Sequence, residues 1–119
     1  MEREFLKQQV KNGNNVIIFG QTGAGKSTLF KELVPCVNQE KSIIFDEAKL
    51  PNEFLNIQKL ENESDIQVLA TCFGTIEKDF CKFKNLKKQT VLVQMEQKDN
   101  YRYISEIKII NSENSKKII

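Results

Sequence analysis

Nine consecutive residues could do chemistry before anything is known of their surroundings. Gly20, Gln21, Thr22, Gly23, Ala24, Gly25, Lys26, Ser27 and Thr28 follow the spacing G-x-x-x-x-G-K-[ST] at every fixed position. Glycines at these points let the backbone curl until successive N–H groups face one anion, and a helix opening at the lysine adds its positive end. Lys26 brings a mobile charge for β- and γ-phosphates, and Ser27 a hydroxyl for Mg²⁺, a hard cation that prefers oxygen ligands. The stretch reads as a phosphate-binding P-loop, with ATP or another nucleoside triphosphate as its ligand. A glycine-rich turn with an incidental lysine would match by chance, so the flanks decide. Val16-Ile17-Ile18-Phe19 suits a buried strand, and Leu29, Phe30 and Leu33 recur at helical spacing behind it.

A second stretch complements the first. Ser42-Ile43-Ile44-Phe45 is a strand-forming run that ends in two carboxylates, Asp46 and Glu47, in the manner of a Walker B element. Such a carboxylate is wanted at the tip of a strand beside the P-loop. There Asp46 would hold Mg²⁺ with Ser27, and Glu47 would orient or deprotonate an attacking water. Thr71 closes a third apolar run, Ile66 to Thr71, at a place suited to sense the γ-phosphate or position that water. The bland alternatives are acidic surface residues at a strand end and an ordinary strand-end threonine. The catalytic set expected here is therefore Glu47, Lys26 and Thr71, with Ser27 and Asp46 toward the metal.

These groups need a scaffold, and the pattern of the chain supplies one. A short amphipathic helix over residues 2–11 precedes the first strand, and the P-loop helix runs to about Val34, where Pro35 cannot continue it. Leu50, Phe54, Ile57 and Leu60 share a face of a helix expected over 51–61, and Ile76, Phe80 and Phe83 mark another. Thr90 to Gln97 and Tyr101 to Ile110 are β-rich runs around Lys98-Asp99-Asn100, the clearest hairpin signal present. Residues 111–119 read as a frayed polar tail. The expected fold is α/β: a three-layer α/β/α P-loop sandwich in one domain over 1–119, its short sheet mainly parallel and closed by a C-terminal hairpin.

Composition narrows the chemistry. The sequence of 119 residues is small for a parallel sheet that must be covered on both faces, and contains no histidine and three cysteines. Cys36, Cys72 and Cys81 lack metal-ligand spacing and read as thiols of the interior, so zinc sites and histidine-based nucleophilic catalysis are excluded or nearly so. Residues 37–65 hold seven acids and three bases, net −4, while residues 76–119 hold six acids and ten bases, net +4. Scattered lysines of this kind form a solvated face more often than a nucleic-acid or membrane contact. No apolar run approaches the ~20 residues of a membrane span, and the chain reads as cytoplasmic.

The run from Arg3 through Thr28 resembles the helix, strand and P-loop of the type II/type IV secretion ATPases, the motors of pilus assembly and conjugation. Ile43 to Lys49, followed by Pro51-Asn52-Glu53-Phe54, is similar to that family's Walker B stretch, Val68 to Thr71 to the strand before its histidine motif, and Thr90 to Ile110 to its closing hairpin. The resemblance implies ATP and Mg²⁺ as cofactors, Lys26 and Ser27 as their ligands, Glu47 as catalytic glutamate and Lys49 in place of an arginine. It further implies a homo-oligomer or a secretion assembly as partner, peripheral to the inner face of a membrane. Two departures stand out: Phe73 occupies the histidine position, and the acidic segment between P-loop helix and Walker B is absent. The readings that follow are a shortened motor-type ATPase, a nucleotide-dependent interaction module without useful hydrolysis, and a small-molecule kinase. No Asn-Lys-x-Asp stretch supports a GTPase.

Overall fold

A computed structural model describes residues 2–37, 42–48, 66–76, 88–111 and 115–119. Among these residues six strands form one sheet in the order β2-β3-β1-β4-β5-β6: β1 Asn15–Gly20, β2 Ser42–Ala48, β3 Gln67–Phe73, β4 Thr90–Lys98, β5 Tyr101–Ile110 and β6 Ser115–Lys117. The first four run parallel, and β5 alone runs against them, pairing antiparallel with β4 on one side and β6 on the other. Helices α1 (Glu2–Lys11) and α2 (Lys26–Leu33) accompany them, and Pro35 lies in a short 3₁₀ turn, Val34–Cys36, where the helix ends. The architecture is the α/β P-loop arrangement expected from sequence.

Strand alternation sorts the core into two faces. Val16 and Ile18 of β1, Leu69 of β3 and Val93 and Met95 of β4 pack with Leu6 and Val10 of α1 and with Leu29, Phe30 and Leu33 of α2. Ile17, Phe19, Val68, Ala70, Cys72 and Leu92 are buried on the opposite face with Ile76. The helix expected over 51–61, the rest of the one through Phe80 and Phe83, and Lys49 and Cys81 lie outside the described residues. Cys36 is half-buried and Cys72 buried, both as free thiols.

The structure departs from the sequence expectations at four points. The strand carrying Asp46 does not lie beside β1; β3 occupies that place. All of β3 from Gln67 to Cys72 is buried, as a central strand must be, whereas β2 exposes Ile44 at 39% and Asp46, and so suits the edge. β3 also continues past Thr71 to Phe73. The tail expected to fray over 111–119 instead contains β6, and Ile118 donates its N–H to the Ile107 carbonyl at 2.7 Å. The hairpin turn is tighter than the sequence suggests: only Asp99 and Asn100 connect β4 to β5, with Asp99 at φ 58, a conformation that Asp tolerates better than most residues.

Asn15 holds the middle of the sheet. Fully buried, its side chain donates to Thr90 Oγ1 at 3.2 Å and accepts from the Val68 N–H at 2.7 Å, so one amide bridges β3, β1 and β4. Gln67 does similar work below, donating to the carbonyls of Val10 (2.6 Å) and Asn14 (3.0 Å) at the end of α1. Asn15→Ala strands the Val68 N–H in a dry interior; the expected loss in urea unfolding is about 1–3 kcal/mol, with native far-UV dichroism.

Candidate functional site

The loop after β1 takes its shape from two glycines. A Cβ at Gly20 would stand 2.9 Å from the Met95 backbone oxygen, closer than real contacts allow, so the strand can leave the sheet here only without a side chain. Gly25 is the N-cap of α2 at φ 94, and no side chain caps the helix. The first N–H groups of α2, from Lys26 to Thr28, lack intrahelical acceptors by helix geometry and point out of its N-terminus. Ala24 N–H bonds to the Gln21 carbonyl at 3.1 Å and shapes the loop below them. An uncapped helix end behind a glycine bend is a cradle for phosphate oxygens.

Lys26 is 5% exposed, yet no carboxylate pairs with it among the described residues; its Nζ lies 5.5 Å from the centroid of the Phe73 ring. Phe73 itself is 61% exposed. A turn pinned on two sides carries it. Gly74 N–H bonds to the Gly20 carbonyl at 3.3 Å, and Gln94 Oε1 accepts from the Ile76 N–H at 2.9 Å while its Nε2 donates to the Gly74 carbonyl at 3.3 Å. Ser27 and Thr28 are exposed on the first turn of α2.

Asp46 and Thr71 meet. The Thr71 hydroxyl donates to Asp46 Oδ1 at 2.9 Å. Register makes this possible: Phe45 pairs with Ala70 and Ala48 with Cys72, so Asp46 and Glu47 together stand opposite the single Thr71 as a bulge. Bulges re-aim a strand locally and recur beside functional sites. By alternation from Leu69, Thr71 faces the same side of the sheet as α2, at the level of Ile18 in β1. The Asp46 carboxylate is exposed there, and the Glu47 side chain lies outside the described residues.

The donor chemistry suits Mg²⁺. No group of three His, Cys, Asp or Glu side chains among the described residues could hold a metal by itself, whereas the Ser27 hydroxyl and the Asp46 carboxylate are hard oxygen donors of the kind that share Mg²⁺ with phosphates and water.

The hairpin β4–β5 adds residues that the sequence did not single out. A Cβ at Gly23 would meet Gln97 Oε1 at 3.5 Å, and one at Gly25 would meet Arg102 Cδ at 3.2 Å. A cavity of about 620 Å³ opens between the loop at Gln21, Thr22 and Ala24 and the hairpin at Gln97, Lys98, Asp99 and Tyr103. The available signal was Gln94, a glutamine inside the apolar run Val91 to Met95. Nothing in the spacing marks Arg102.

A family model described as ABC transporter matches residues 5–117, nearly the whole chain. The chain belongs to the ABC transporter family. Among solved structures it is similar to the VirB11 ATPase from the Brucella suis type IV secretion system, in complex with sulphate, with a TM-score of 0.67 at 15% identity. The match covers 89% of this chain and 51% of that one, so this ABC transporter family member spans about half the length of the VirB11 chain. At that identity the likeness speaks for the fold, and on those terms it bears out the resemblance to secretion ATPases. No curated protein matches the sequence. This member of the family is thus a P-loop NTPase by motif, fold and family, and no helix among its described residues is long and apolar enough to cross a membrane.

Gly20→Ala forces the Met95 carbonyl to move; urea unfolding is expected to show a loss of about 1–3 kcal/mol, the usual cost of overpacking.

Proposed function

We propose that the protein binds ATP with Mg²⁺ and hydrolyses it, as a motor-type ATPase of shortened form that works as a homo-oligomer or within a secretion or conjugation assembly at the cytoplasmic face of a membrane. The observation that carries this reading is the 2.9 Å hydrogen bond from Thr71 to Asp46, which fixes a carboxylate on the P-loop face of the sheet. Phosphates would lie on the backbone of Gly20 to Thr28, with Lys26 toward the β- and γ-phosphates. Ser27 and Asp46 are the donors that would hold Mg²⁺, which supplies charge neutralisation on the phosphate oxygens when bound. Thr71 holds Asp46 in place, and Glu47, next on the bulge, takes the role of orienting or deprotonating water.

A second reading, nucleotide-dependent interaction without useful turnover, is favoured by one observation. The exposed Phe73 ring stands against Lys26 in the position that the secretion-ATPase resemblance gives to histidine, and a phenyl ring has no N–H to donate to a γ-phosphate or a water.

Calorimetric titration with ATP and GTP plus Mg²⁺, followed by phosphate release from the same sample, tests both. Lys26→Ala is expected to abolish triphosphate binding or its Mg²⁺ dependence; unchanged affinity would remove the P-loop assignment. Glu47→Gln is expected to keep binding and lose phosphate release. Tight binding with no release in either protein would establish the second reading. Thr71→Val leaves Asp46 in water with one donor fewer; it should cost no more than about 1 kcal/mol of stability and slow phosphate release at least tenfold.

A further inference from the structure

The inner face of the β4–β5 hairpin lies on the P-loop. Met95 and Gln97 on β4 share that face with Arg102 on β5, which pairs with Gln97 in the ladder. The Arg102 stem packs against the residue that precedes Lys26: a Cβ at Gly25 would stand 3.2 Å from Arg102 Cδ and 3.5 Å from Arg102 Cβ. The guanidinium begins one bond beyond that Cδ, on an exposed residue.

Among the described residues this guanidinium has no partner. Arg3 is paired with Glu32, Lys7 with Glu4 and Lys108 with Glu106, whereas Arg102 makes no ion pair or hydrogen bond among the described residues. Glu2 lines the same cavity of about 340 Å³ as Arg102, together with Arg3 and Tyr101. A cation held by its stem beside an anion cradle, with its donors left over, is arranged for a ligand. Its fork of N–H groups matches phosphate oxygens two at a time, which a lysine cannot do.

We infer that Arg102 is a phosphate-contacting residue of the nucleotide site, supplied by the chain's own hairpin and acting on the same polyphosphate as Lys26. The inference rests on the nucleotide-binding reading above. It gives the site a second positive charge in cis, where P-loop enzymes otherwise often take an arginine from a partner. The contact is to phosphate and not to base, so it extends to any polyphosphate the loop accepts.

The test is calorimetric titration of the full chain and of Arg102→Gln and Arg102→Lys with Mg-ATP and with inorganic tripolyphosphate, beside the thermal midpoint of each protein. Glutamine keeps the aliphatic stem over Gly25 and removes the charge. The expected result is at least a tenfold loss of affinity for both probes in Arg102→Gln, partial recovery in Arg102→Lys, and midpoints within a few degrees of the parent. A parent that binds ATP with Arg102→Gln binding within twofold of it would overturn the inference and leave the nucleotide reading standing. Weakened binding with a collapsed midpoint in both variants would overturn it too, because the arginine would then be a packing group. A parent that binds neither ATP, GTP nor tripolyphosphate removes the nucleotide reading itself.

Discussion

The amides that open α2 have no side-chain cap to bond to. A helix leaves its first N–H groups unmatched, and the usual remedy is a Ser, Thr, Asp or Asn cap. Here the cap is Gly25, in a left-handed conformation and without a side chain. The helix cannot be shifted to water as a whole, because Leu29, Phe30 and Leu33 anchor its other side in the core. A helix anchored along one face thus ends in a concentrated positive potential whose natural complement is an anion. The chain surrounds that end with what such an anion needs: Lys26 within the loop, Ser27 and Thr28 on the first turn, and a carboxylate two strands away.

The sheet order determines how that carboxylate reaches the site. With β3 between β1 and β2, Asp46 lies two strands from the strand that leads into the P-loop, on an edge strand that exposes Ile44. The bulge turns two residues of β2 toward one of β3, and the Thr71 hydroxyl fixes the result. Thr71 thereby ties the edge strand to β3, which pairs with the strand that leads into the P-loop. Gln94 makes the matching connection from the other direction, holding the turn after β3 while that turn bonds to Gly20.

Much of this was legible before the structure. The P-loop announces itself because glycine, lysine and serine are needed at fixed offsets by backbone geometry alone, and the hairpin does so through alternation on either side of Asp99-Asn100. Asp46 and Thr71 were legible as chemistry, but not as neighbours, because lateral strand order in a parallel sheet leaves little trace in local sequence. β6 was missed because Ser115-Lys116-Lys117 has a poor strand composition; its place comes from pairing with the long β5. Gln94 and Arg102 were missed for a related reason. Their significance arises from what stands across from them, Ile76 and Gly74 in one case and Gly25 in the other, and contact across a fold is not periodic.

The central position of β1 has a consequence for how the molecule comes into being. Both of its partners are made later than it is: β3 begins at Gln67 and β4 at Thr90, and the Asn15 side chain bonds to a residue 75 positions downstream. Pairing at such separation is slow, since a long loop must close before any contact rewards it. On the ribosome, α1, β1 and the P-loop therefore emerge as an apolar strand and a glycine-rich bend with no sheet to enter. Only when β4 and β5 follow do the Met95 carbonyl and the hairpin close over Gly20 and Gly25. A nascent chain carries every residue of the phosphate motif long before it has a place to put a phosphate.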